Sequence, residues 1–88
     1  MQKRLGVVGI FVESISAAAE INAILHDSAR IIVGRMGLPY RERGVSVISL
    51  IVDGTTDEIS ALTGRLGRVR NAQVKTALSR EPAAGEEA

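Results

Sequence analysis

From Gly34 to Gly44 the chain reads GRMGLPYRERG. One connection thus carries Arg35, Arg41 and Arg43, the single tyrosine Tyr40, and Pro39, one of two prolines. A guanidinium presents planar, paired N–H donors that match a carboxylate, and Arg and Tyr are enriched where one protein anchors another. Read for function, the stretch is chiefly an assembly surface and, second, one wall of a ligand site. Read for structure alone, it is a hairpin whose glycines and proline set the turn while the arginines stay in solvent.

The carboxylates Asp53, Asp57 and Glu58 invite an acid–base reading. That chemistry needs a nucleophile, a base and an orienting group that converge, and the sequence supplies no such set. A helix start accounts for the acids better, because negative charge there offsets the positive end of the helix dipole. The same acids would repel a phosphate held at Gly54-Thr55-Thr56. His26 is the only histidine and cysteine is absent. One chain therefore lacks the several imidazole and thiolate ligands that a transition-metal site requires. His26 is expected near the end of the first helix, where an imidazolium favours the dipole. No catalytic residue, metal or cofactor is expected. Gly6-Val7-Val8-Gly9 lies inside a strand without the following glycine turn, so it is no dinucleotide fingerprint. Gly9 is expected to permit close approach of a neighbouring backbone.

The elements that must position these groups follow from periodicity. RLGVVGIFV (Arg4–Val12) is short and β-branched, a buried strand. A polar turn at Glu13-Ser14 leads to a helix whose stripe is Ala17, Ile21, Ile24, Leu25 and Ser28, with Ser14 or Ser16 as the cap. Residues 29–36 form a second strand and Val45–Asp53 a third, joined by the extended arginine-rich hairpin. Thr55 and Glu58 have capping-box spacing for a second helix with Ile59, Leu62, Thr63 and Leu66 inward and Gly67 as a left-handed stop. Asn71–Leu78 alternates as a fourth strand. The order βαββαβ makes residues 1–78 one α+β, ferredoxin-like domain: a four-stranded antiparallel sheet, strands one and three central, with both helices on one face. Residues 79–88 lack periodicity and are expected to be a disordered polar tail.

Both central strands are apolar on both faces. Ser46, Ile48, Leu50 and Val52 oppose Val45, Val47, Ser49 and Ile51; Val8, Ile10 and Val12 oppose Val7, Gly9 and Phe11. Helices cover one face only, so the other is expected to join copies of the chain. Self-association also suits a chain of 88 residues without disulfides. Basic and acidic residues number 11 and 10 overall, and 10 and 7 over residues 1–79. So weak a bias gives no support to nucleic-acid binding, and a base-stacking sheet would need aromatics where only Phe11 stands. Lys3 and Arg4 before LGVVGIFV and SAAAE after it mimic a secretion signal, but Gly6, Gly9 and Glu13 interrupt the run. No run reaches the ~20 apolar residues of a membrane span. A cytoplasmic location is expected.

Three blocks, KRLGVVGIFVES, IIVGRMGLPYRERGVSVISLIVDGTTDEISALTGRLG and VKTAL, resemble the family of regulators of the iron-only hydrogenase system, from about Lys3 to Leu78. The resemblance implies an ACT-like domain, similar to the C-terminal domain of nickel-responsive repressors, in dimers or tetramers. ACT-like domains hold small ligands at subunit boundaries near the turn after strand one, which here is Val12, Glu13 and Ser14. Together with Arg35, Tyr40, Arg41 and Arg43 these are the candidate ligand or interface residues. The expected function is a non-enzymatic regulatory module that takes a small ligand between subunits. The alternative is a structural adaptor without a ligand.

Overall fold

The computed structural model describes residues 2–80. Strand β1 (Lys3–Val12) pairs antiparallel with β3 (Val45–Thr55) from Lys3 opposite Thr55 to Val12 opposite Ser46. Strand β4 (Ala72–Leu78) flanks β1 and strand β2 (Ile32–Tyr40) flanks β3, giving the order β2-β3-β1-β4. Helices α1 (Ile15–Asp27) and α2 (Thr56–Gly67) complete the α+β, ferredoxin-like arrangement. Most of the expected tail, residues 81–88, lies outside the described residues.

The alternation of β1 and β3 decides the layers. Val8, Ile10 and Val12 with Ile48, Leu50 and Val52 are buried against Ala17, Ile21, Ile24 and Leu25 of α1 and Ile59, Leu62 and Leu66 of α2. Each of the valine, isoleucine and leucine side chains among them contributes ~1.5–3 kcal/mol on leaving water. The opposite face keeps Leu5, Val7, Phe11, Met36, Leu38, Tyr40 and Ile51 exposed.

Local chemistry sets the helix ends. Ser14 caps α1, its Oγ accepting from the Ala17 N–H at 3.1 Å. Ser28 is the C-cap of α1, its N–H shared between the Ile24 and Leu25 carbonyls, and is not part of the buried stripe. At α2 the capping box is complete: Thr55 Oγ1 accepts from the Glu58 N–H at 3.1 Å, and Glu58 Oε1 accepts from the Thr55 N–H at 2.8 Å.

Several boundaries differ from the sequence reading. Ala29–Ile31 is a short 3₁₀ turn, so the second strand starts at Ile32, after which the register shifts between Ile32 and Gly34, and it continues to Tyr40. The arginine-rich hairpin is therefore mostly paired strand, and only the 3₁₀ turn Arg41–Arg43 and Gly44 (φ 67°) bend the chain. Pro39 sits within β2 because an edge strand has one side whose N–H groups need no partner. Gly67 is the last residue of α2, and Arg68 after it is right-handed; the left-handed residue is Asn71 (φ 63°), at the entry to β4. Asn tolerates that conformation better than most side chains.

Of the two β1 glycines, Gly6 is crowded and Gly9 is not. A Cβ at Gly6 would lie 2.9 Å from Leu78 Cδ2, 3.2 Å from Val52 Cγ2 and 3.4 Å from the Ala77 carbonyl, whereas one at Gly9 would meet nothing within 4 Å. The two glycines lie on opposite faces, and only the Gly6 face is packed.

Gly6→Val should overpack the sheet–helix layer and lower unfolding stability by ~1–3 kcal/mol in urea denaturation. Glu58 titrates below the ordinary value of 4.5, chiefly because its carboxylate accepts the Thr55 N–H and then the Thr55 hydroxyl, with Arg30 and Lys3 assisting against a desolvation penalty. A depressed folded-state value means stabilisation that is full above the ordinary value and lost as pH falls through the folded one. Glu58→Gln should therefore lower Tm at pH 7, and the gap to the parent protein should narrow as pH falls below the ordinary value of 4.5 and through the lowered folded one.

Candidate functional site

The turn from β1 into α1 is held from two sides. The Glu13 N–H donates to the Asn71 carbonyl at 2.8 Å, tying the turn to the start of β4. Ser14 caps the helix through its side chain, and its carbonyl accepts the Ala18 N–H at 3.0 Å. Opposite stands the tip of the β2–β3 hairpin, where the Gly44 N–H closes onto the Arg41 carbonyl at 3.1 Å. Because Val12 pairs with Ser46 and Tyr40 with Val45, the hairpin runs one residue pair past the end of β1 and its tip stands beside the turn.

Between them is a cavity of about 380 Å³ lined by Val12, Glu13, Ser14, Ile15 and Ala18 on one side and Pro39, Tyr40, Arg41, Gly44, Val45 and Ser46 on the other. Five candidate residues thus share one cavity: Val12, Glu13, Ser14, Tyr40 and Arg41. The lining residues include one arginine, one glutamate, the hydroxyl-bearing Ser14, Ser46 and Tyr40, and an apolar flank. Such a set suits a small molecule carrying both charges, or a carboxylate near the start of α1.

Arg43 lines a second hollow, of about 480 Å³, with Phe11, Gln73 and Val47 on the uncovered sheet face. Glu13, Tyr40 and Val45 line both hollows, so the cavity and the uncovered face are contiguous. Arg35 stands apart. It pairs with Leu50, whose side chain faces the helices, and its Nη2 donates to Asn22 Oδ1 of α1 at 3.0 Å. With His26 it borders a separate groove beside α1. Strand alternation separates Arg35 from Tyr40, which lies on the opposite face.

The acids around α2 do not converge on a site. Glu58 is engaged by Thr55 and by Arg30 at 2.6 Å, and Asp53 pairs with Leu5 on the uncovered face. Among the described residues, no three His, Cys, Asp or Glu side chains gather as metal ligands, and Arg41 and Arg43 form no ion pair. The sequence reading missed Met36 and Leu38, which extend the uncovered apolar face across β2. Their spacing with Tyr40, at i, i+2 and i+4, was the available signal.

Comparison with known proteins adds the relationship. A search of curated proteins finds no match. The structure is similar to that of the uncharacterized protein TM1266 from Thermotoga maritima, with a TM-score of 0.86 and 32% sequence identity over 90% of this chain and 100% of that one. The C-terminal domain of the MgtC protein from Mycobacterium tuberculosis shares the fold at a TM-score of 0.68 and 11% identity, covering 92% of this chain and 93% of that one. A formyltetrahydrofolate deformylase from Pseudomonas putida KT2440 does so at 0.60 and 10%, covering 83% of this chain but 28% of that one. Residues 4–76 match the family described as "TM1266-like: Iron-only hydrogenase system regulator, putative". This chain belongs to the TM1266-like family.

Proposed function

We propose that this protein is a non-catalytic regulatory module that self-associates through its uncovered sheet face and takes a small ligand at the edge of that contact. The family's description as a regulator of the iron-only hydrogenase system supplies the regulatory setting. The observation that carries the ligand reading is the continuity of the two hollows through Glu13, Tyr40 and Val45. A second subunit seated on the sheet face would cover the flank of the cavity and turn an open hollow into an enclosed one. Ligand occupancy and assembly would then be linked, because each would stabilise the surface that the other uses.

The mixed lining favours a zwitterion or a small carboxylate. Arg41 would take the carboxylate, while Glu13 would face the cationic end. No group in the cavity forms a nucleophile–base pair, so binding, not turnover, is the chemistry that this lining supports. Regulation by such a module works through a partner or through the assembled state.

A thermal-shift screen of amino acids, small carboxylates, nucleotides and divalent metal ions tests this reading. A true ligand at 100 times its Kd should stabilise the fold by ~2.7 kcal/mol. Arg41→Ala should abolish the shift without lowering the Tm of the unliganded protein. A silent screen would leave an adaptor role, and a shift that survives Arg41→Ala would move the ligand elsewhere.

A further inference from the structure

The uncovered face has a knob and a hole on the same strand. Cross-strand pairing arranges it in rows: Leu38, Val47, Phe11 and Gln73 form one, and Met36, Ser49, Gly9 and Lys75 form the next. In the first row Phe11 stands out of the sheet, 43% exposed. In the second, Gly9 contributes no side chain, and the space above it is empty to 4 Å. Ser49 beside it is small, so over the two central strands the second row is a trough, flanked along the strands by the Phe11 row and by Val7 and Ile51 and closed at its ends by Met36 and Lys75.

We infer that two copies of this chain pack sheet to sheet about a two-fold axis that crosses the strands midway between Phe11 and Gly9, so that each Phe11 fills the trough over the other's Gly9. The inference rests on the self-association proposed above and specifies its geometry. A two-fold lying in the interface and perpendicular to the strands keeps each strand over its own copy and reverses its direction. Row one then meets row two: Phe11 faces Gly9, and Val47 faces Ser49. Large meets small at both central strands, which is the self-complementarity an isologous contact demands. The other in-plane orientation, a two-fold along the strands between β1 and β3, would set Gly9 against Ser49 and Phe11 against Val47. That packing stacks trough on trough and leaves a void, which close-packed interiors avoid.

Size and charge agree with a second copy as the occupant. Under this axis Leu5 lies beyond the end of the partner's sheet. The exposed parts of Val7, Phe11, Met36, Leu38, Tyr40 and Ile51 sum to roughly 570 Å², before the half-buried Val45 and Val47 are counted, against the roughly 800 Å² per partner of a stable interface. The middle of the patch holds no charge except Lys75, which lies on β4 at its margin. A mostly apolar centre with charges at its margin matches the anatomy of protein contacts.

Reciprocal exchange of knob and hole tests the geometry. Gly9 has ordinary strand φ and open space, and Phe11 faces away from the core, so both positions accept substitution in the folded subunit. Dimer dissociation constants would be measured by sedimentation equilibrium, with circular dichroism confirming the fold of each variant. Gly9→Phe and Phe11→Gly should each weaken association at least tenfold. The double exchange Gly9→Phe/Phe11→Gly restores a phenylalanine facing a glycine and should recover most of the loss. If the parent protein is a monomer, both the self-association and this geometry fail. If it associates but Gly9→Phe leaves the constant unchanged, or the double exchange shows no recovery, the assembly stands and the Phe11–Gly9 seat is wrong.

Discussion

Ten consecutive residue pairs between β1 and β3, from Lys3–Thr55 to Val12–Ser46, carry the rest of the molecule. In a strand the side-chain period is two, so a slip of one residue would exchange every inward residue for an outward one. Here such a slip would misalign Val8, Ile10 and Val12 with the inward row of β3. The helices then add their stripes to a face already chosen by the pairing. Their own ends are determined locally, by Ser14 at α1 and by the Thr55–Glu58 box at α2.

That register has a cost on the other side of the sheet. Both strands carry apolar residues outward as well as inward, and two helices cover only one layer. In an antiparallel sheet an exposed face is ordinarily polar. The departure from that pattern gives the chain a surface with more apolar character than a lone subunit requires, and the cavity beside the β1–α1 turn opens at the end of that surface. Fold, contact surface and cavity are therefore consequences of one pairing rather than three separate devices.

Legibility in the sequence varied with the range of the interaction. The element order, the central strands, the apolar residues of both helix stripes and the capping box could be read because each depends on residues a few positions apart, whereas Ser28 and Thr63 are not among the buried stripe residues. The membership in the TM1266-like family was legible too, in the blocks around GRMGLPYRERG and DGTTDEISALTG. The β2 boundary was not, since Pro39 argues against a strand unless that strand is known to lie at an edge. Gly67 was misread for a similar reason: glycine near a helix end suggests a left-handed stop, yet the chain turns instead at Asn71, where it must enter β4 beside Val12.

The amino-acid sequence by itself determined which residues alternate, where helices begin and that one sheet face would remain greasy, because these are short-range patterns. Only the tertiary structure decided that Gly6 is crowded while Gly9 sits over open space, and that Arg35 leaves the hairpin cluster for Asn22. It also decided that Tyr40 and Arg41 meet Glu13 and Ser14 across a single cavity. Those juxtapositions join residues distant along the chain, and the physical reason is strand register, which no local spacing encodes.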